Sequence, residues 1–418
     1  DATCVRRVTR TAICLRLVRV RRRVKDVTTS GSVRFSDYDP YTDAVMRDPW
    51  PFYAALRRDS PVHYLEQYDT WFLSRFEDIW QATTQDMFTA ERGVTPEMVL
   101  LKRPPADDPV FSMLDMPRQR DYRRMLAPRY TRRATNELET FVRTEARALI
   151  EPLAAHGEFD VYTDYAAPLS ARVIGHLIGL PTELSLQFAQ LVEAHFRRHS
   201  GQVGASDVNN AAMAELMPAL MTFIEEQRGK VSEHDTTHIA ALLNNEAEGK
   251  PLSLGSIVAT LFTLLVTGIE VVPLAVANTA VYLAKHTDQR SQLVKDPSLI
   301  PLAFDESLRY DQPTNLLGRV VKQEVTIGEK TLRAGQGVMF LWASGNRDEA
   351  EFDNADQFDI TRRPRRSLSY GHGVHKCIGE HLGRLEGRVL LEELLQVAPD
   401  YTCGERATRV YSEFLHGY

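Results

Sequence analysis

Cysteine is scarce in this chain, with four among 418 residues: Cys4, Cys14, Cys377 and Cys403. No two of them stand in a CxxC spacing. That argues against a structural zinc site and a disulfide framework, and it suits a reducing compartment. Internal repeats and low-complexity segments are also missing. Neither sign of charge dominates, since 50 Lys and Arg stand against 56 Asp and Glu, a net of −6. The basic residues crowd at the start. Arg6, Arg7, Arg10, Arg16, Arg19, Arg21, Arg22, Arg23, Lys25 and Arg34 face only Asp1 and Asp26. That arm has no apolar run long enough for a signal-peptide core or a membrane span. Residues 1–34 are therefore read as a basic extension, disordered or non-native, and residues 35–418, where composition does not shift, as a single domain. One apolar run, 254–286, does reach spanning length, with Glu270 its only charge before Lys285. Gly268, Glu270, Pro273 and Asn278 interrupt it, so a central helix buried by other helices is expected, not a transmembrane segment.

The rest of the chain reads as mostly helical with two small β regions. Asp48 to Arg58 carries proline near a helix start. Val62–Tyr64 and Trp71–Ser74 alternate like a hairpin, and Phe76 opens the next helix. Residues 90–112 show no clean period and are expected to form a long surface loop. Glu137–Ala154 and Ala167–Ile178 repeat apolar residues at helical spacing, as does Glu380–Val397. Short strands such as Glu324–Ile327 recur after Pro313.

The most informative stretch runs from Ser369 to Gly379. Cys377 lies among Gly371, Gly373 and Gly379, two residues after His375 and just ahead of a long amphipathic segment. Small neighbours let a flat macrocycle approach the backbone, and nearby donors blunt the charge of a thiolate. That is how a cysteine is presented to haem iron. The run resembles the haem-binding loop of the cytochrome P450 family, F-x-x-G-x-H/R-x-C-x-G, with Tyr370 in place of Phe. Further motifs fall in the family's order. Glu306 and Arg309 match E-x-x-R, and residues three apart can pair on one helix face. The family often adds a third partner from Phe352–Arg362, and Gln357 stands where Arg is common, which leaves that partner open. Asp115 to Arg124 resembles D-P-P-x-H/Q-x-x-x-R, with Gln119 and Arg123 on one face. Arginine suits a carboxylate because its planar fork donates two bonds.

The resemblance implies a mainly α fold with small β regions, holding haem b between a long central helix and the cysteine loop. Cys377 would be the axial thiolate, and Glu306 and Arg309 a structural pair. Gln119, Arg123, Arg319 and His375 would hold the propionates. The implied enzyme is a monooxygenase that places one oxygen atom from O2 in a small hydrophobic or aromatic substrate, by hydroxylation or oxidative dealkylation. Electrons would come from a ferredoxin and an NAD(P)H-dependent ferredoxin reductase, received on a basic face of Arg124, Arg129, Lys376, Arg384 and Arg388. A cytoplasmic monomer with no nucleic-acid partner is expected. The chain stops short of the family's closing strand, which leaves truncation open.

One motif departs. Val266–Pro273 aligns with A/G-G-x-D/E-T-T, and Gly268 and Glu270 match, but Val271 replaces the threonine. Valine keeps the shape and lacks the donor. Thr267, one turn earlier, is one source of a hydroxyl. A substrate hydroxyl or ordered water is another. Atypical chemistry, such as oxidative coupling or a peroxide-driven reaction, is a third, although peroxygenases tend to place an arginine here. A haem-thiolate binding protein without turnover is the non-catalytic alternative. Glu270 is the candidate acid of the proton path. Substrate contacts are expected from Val94, Met98, Leu265, Gly268, Asn315, Leu316 and Phe414.

Overall fold

Helices carry the frame, and a 32-residue helix, Leu254–Lys285, runs through its centre. The structure is a computed structural model that describes residues 14–16 and 33–418, apart from 106, 109, 233, 405 and 406. The central helix starts at Ser253, whose side chain accepts from the Ser256 N–H, satisfying one of the donors a helix start leaves over. By length and composition this helix passes the test for crossing a membrane, yet most of its most apolar stretch is buried. Its cover comes from helices Ala167–Ile178, Thr182–Phe196, Asp207–Gln227, Ile300–Tyr310 and Glu380–Val397. Gly268 permits one of these crossings, because a Cβ there would stand 2.8 Å from Ile174. The expected helices 167–178 and 380–397 have those bounds. The expected helix at 137–154 runs Glu139–His156 and ends at Gly157, which takes φ +80°, a conformation glycine adopts without strain.

A five-stranded sheet stands beside the helices, in the order Val62–Leu65, Thr70–Leu73, Gly337–Phe340, Leu317–Val321 and Phe88–Thr89. The first two form the expected hairpin, with Val62 opposite Leu73 and Tyr64 opposite Trp71. The segment 90–112 differs from a plain surface loop. It contains a helical turn, Pro96–Val99, and it buries Val99 and Leu100. Val99 sits against the sheet where two strands carry glycine. A Cβ at Gly318 or Gly337 would meet Val99 at 2.9 or 2.7 Å. Small backbone positions in two adjacent strands thus make a socket for one β-branched side chain. Of the basic extension, Cys14–Arg16 forms a strand that pairs in parallel with Glu158–Asp160 and Thr402–Cys403. Otherwise only residues 33 and 34 of it fall among the described residues.

The helix Glu380–Val397 carries a buried acid. Glu386 is 3% exposed and accepts a 2.7 Å hydrogen bond from Ser170. Burial pushes its pKa up to about 8, against a lesser opposing pull from Ser170. The folded chain therefore keeps a proton that the unfolded chain releases in the ordinary carboxylate range. The stability this lends is present in acid and is lost as pH rises through about 8. Glu386→Gln is expected to raise the melting temperature over the parent at alkaline pH and to lose that advantage below the ordinary carboxylate pKa. Thermal melts across that range check it.

Candidate active site

The cysteine loop is shaped by backbone and held by an aromatic stack. Gly371 and Gly373 take φ of +67° and +74°, a region that disfavours side chains. At Gly373 space forbids one as well, since a Cβ would lie 2.3 Å from the Thr83 carbonyl. His372 stacks on Trp80 with ring centres 3.5 Å apart. These contacts fix the loop to helix Phe76–Ala82. The Cys377 N–H donates to the Tyr370 carbonyl at 2.9 Å. The thiol is crowded by its neighbours, although its residue remains accessible to solvent. Burial pushes its pKa up, while the Gly379 N–H, Arg123 and Lys376 favour the thiolate.

Cationic and donor groups gather beside this loop. Arg123 donates to the Lys376 carbonyl at 2.7 Å, and Gln119, 2% exposed, donates to the Val374 carbonyl at 3.1 Å. Among the described residues the Arg319 side chain donates only to its neighbour's carbonyl, Gly318, at 2.6 Å. Burial lowers its pKa to about 10, with Asp115 opposing. Burial also pushes His375 down to about 3, with Arg319 and Arg123 adding to the shift and Asp115 opposing it. Neither Arg123 nor Arg319 is ion-paired among the described residues. Two arginines without an ion pair, both adding to the positive field at one histidine, call for an anion of more than one charge. A thiol and cations so arranged fit the iron and the two carboxylates of a haem. Cys377, Arg123, Arg319, His375 and Gln119 are the residues that would hold it.

Thr267 and Val271 share a face of the central helix. Thr267 is exposed and Val271 half-buried. The Thr267 hydroxyl donates to the Thr263 carbonyl at 2.8 Å. Val272 and Tyr370 both approach Gly383 on the helix that follows the cysteine: a Cβ there would lie 3.5 Å from Val272 Cγ2 and 3.8 Å from the Tyr370 hydroxyl oxygen. Glu270 turns elsewhere. It is 4% exposed, and its Oε2 accepts from the Tyr162 hydroxyl at 2.8 Å. Burial raises its pKa to about 7, against the pull of that hydrogen bond. Tyr162 belongs to a π-helical turn, Val161–Ala166, an irregularity frequent at functional sites.

Glu306 and Arg309 are both buried and bonded through two oxygens at 2.8 Å each. Arg309 also donates to the carbonyls of Asn346, Ala355 and Gln357. The third partner is Arg362, whose Nε lies 3.3 Å from Glu306, and Gln357 contributes only its backbone carbonyl.

The residues proposed to touch substrate divide. Val94, Met98 and Phe414 are half-buried, and Phe414 packs on Phe196 with ring centres 5.9 Å apart. Leu265 and Leu316 are fully buried in separate apolar clusters. Asn315 is also buried, and its polar atoms are engaged by Tyr53, Glu413 and Phe414. Gly268 faces Ile174. Leu265 and Leu316 are packed among other apolar side chains, and an apolar residue in a helix or strand looks the same in sequence whether it faces core or ligand. Sequence reasoning missed Tyr162, which lies 108 residues from Glu270 with no local motif. On the basic face, Lys376 and Arg384 pair with Glu380, Arg384 also with Asp305, and Arg388 with Glu139 and Glu392. Arg124 is the most exposed of the five, 3.9 Å from Asp121.

Comparison with known proteins agrees with this geometry. The family model for cytochrome P450 matches residues 205–397. Cytochrome P450 130 of Mycobacterium tuberculosis is 32% identical over 389 residues, covering 90% of this chain and 94% of that one. A vitamin D(3) 25-hydroxylase of Pseudonocardia autotrophica is 32% identical over 383 residues, covering 90% and 91%. Among solved structures, CYP109E1 of Bacillus megaterium in complex with testosterone superposes with a TM-score of 0.78 at 25% identity, covering 90% of this chain and 97% of that one. The fold and the cysteine loop define a haem-thiolate enzyme. The chain belongs to the cytochrome P450 family and is a monooxygenase of that family.

Proposed function

We propose that residues 35–418 form one catalytic domain that binds haem b through Cys377 and places one oxygen atom from O2 in a small hydrophobic substrate, by hydroxylation or oxidative dealkylation. The observation that carries this reading is Cys377, in an exposed position of its loop, with Arg123 and Arg319 nearby and neither ion-paired among the described residues. Haem held there would supply the activation of dioxygen, and thiolate ligation by Cys377 would favour O–O cleavage. The chain's own residues do the rest. Arg123, Arg319, Gln119 and His375 anchor the propionates. The vitamin D(3) hydroxylase among the relatives and the testosterone complex among the solved structures support an apolar substrate. Ferredoxin and its reductase are the proposed electron source, and Arg124 is the cation of the basic face left most open to such a partner. A cytoplasmic monomer suits this role.

Thr267 is the hydroxyl we assign to the place that Val271 leaves without one. Its proton is committed to the Thr263 carbonyl, so its oxygen accepts and orients a water instead of donating. Glu270, with a pKa of about 7, exchanges protons at neutral pH from the buried side of the helix. The second reading, atypical chemistry that avoids the usual proton delivery, rests on Val271 itself. Val271→Thr is expected to raise the fraction of NADPH consumption that ends in product, and Thr267→Ala to lower it by about tenfold, short of the roughly hundredfold or more of a group that transfers the proton itself. Consumption measured against product, with a reconstituted redox chain, checks both. If neither variant changes the ratio, the Thr267 assignment is wrong and the second reading gains.

A further inference from the structure

We propose that Tyr130 and His238 are a positioning pair behind the cysteine ligand, which sets how strongly the sulfur donates to the haem iron. The inference rests on the haem-thiolate reading above. Tyr130 ends the short turn Ala127–Tyr130, directly after helix Arg118–Leu126, and is 5% exposed. Its ring lies against Gly379. A methyl built at that glycine would stand 3.9 Å from Tyr130 Cε1 and 3.9 Å from Cys377 Sγ. One glycine therefore separates the ring from the sulfur, and the N–H of the same glycine favours the ionised sulfur. Hydrogen bonds to a ligating sulfur and its outer partners tune a metal's potential. The tyrosine ring sets where that glycine lies, and so how well its N–H meets the sulfur.

Tyr130 is in turn held at its far end. Its hydroxyl oxygen is 3.0 Å from His238 Nε2, and the two rings stack with centres 5.2 Å apart and planes 20° from parallel. His238 is fully buried and opens the helix His238–Leu243, whose start is fixed by the Thr237 hydroxyl accepting from the Ala240 N–H. The pair thus joins the turn beside the cysteine loop to an element more than a hundred residues further on. Packing alone does not require it. Two apolar rings would fill the same space, whereas His238 Nδ1 is buried without a partner among the described residues, a cost that packed cores ordinarily avoid. A chain that carries that cost in the shell behind its metal ligand is using the polar contact to fix a position.

The test uses the full chain loaded with haem, and the variants Tyr130→Phe, His238→Phe and the double variant. Two quantities are read: the reduction potential, and the spectrum of the reduced protein under carbon monoxide. Each single variant loosens the Gly379 N–H and leaves the sulfur more electron-rich. Each is expected to shift the one-electron equilibrium about tenfold toward the oxidised form, ~59 mV. Each is also expected to raise the share of reduced protein whose carbon monoxide spectrum is of the thiol type. The double variant is expected to shift no further than either single, because the two residues act as one unit. Removing both partners of a buried hydrogen bond is nearly neutral for stability, so the double variant gives a reading even where a single variant is poorly produced. Potentials equal to the parent's in all three, or single shifts that simply add, overturn the proposal. Failure of the underlying reading looks different: the parent chain itself would then show no thiolate-type spectrum.

Discussion

Cys377→Ser is expected to fold and to lose its thiolate-type carbon monoxide spectrum completely, and with it all oxygenation. The loop does not depend on the side chain. Its bends come from Gly371 and Gly373, its docking from the His372–Trp80 stack, and its closure from the Cys377 N–H on the Tyr370 carbonyl. A serine fits each of these, so a normal circular dichroism spectrum should accompany the loss. A hydroxyl remains protonated where a thiol ionises, so it cannot take over the strong donation of a thiolate. A serine variant that kept the thiolate-type spectrum would remove the ligand assignment.

Arg309→Ala is expected to have the largest effect on stability. Arg309 is 1% exposed and Glu306 3%, and removing one partner of a buried pair costs about 3–5 kcal/mol. Here the loss is wider than one pair. The carbonyls of Asn346 and Ala355 lose the Arg309 donor, and that of Gln357 is left with Arg362 at 3.3 Å. Glu306 would keep only the Asp359 N–H at 3.0 Å and Arg362 at 3.3 Å. Against a total of about 5–15 kcal/mol for a typical domain, the yield of folded, haem-binding protein should collapse. Denaturant unfolding of any folded fraction measures the loss. A midpoint close to the parent's would mean that Arg362 alone suffices for Glu306.

The parts of the site that were legible in the sequence are those written locally. The glycines around Cys377 and the Glu306–Arg309 spacing state their geometry within a few residues. So do the helix periods of 167–178 and 380–397. What stayed hidden depends on distant partners. Arg362 lies inside the stretch where a third partner was expected, but outside the Asp356–Phe358 triplet read for it, and only the fold brings it to Glu306. Tyr162 and Glu270 meet across two helices. Leu265, Leu316 and Asn315 are expected by position to touch ligand, and in the fold Leu265 and Leu316 are buried in apolar clusters while Asn315 is bonded to Tyr53 and Glu413. The opposite happened in the segment 90–112. Its four prolines and missing period concealed a short helical turn, because what orders that segment is the socket at Gly318 and Gly337.

The cations around His375 carry a consequence for how much of this protein a cell can hold. Arg123 and Arg319 both disfavour a further positive charge on that ring, and among the described residues no carboxylate forms an ion pair with either. A ligand that binds only the folded state stabilises it in proportion to the logarithm of its concentration over its dissociation constant. A dianionic cofactor that relieves this repulsion is such a ligand. The abundance of the enzyme should therefore follow the host's porphyrin and iron supply, and chains made in excess of that supply should be the first that proteases remove.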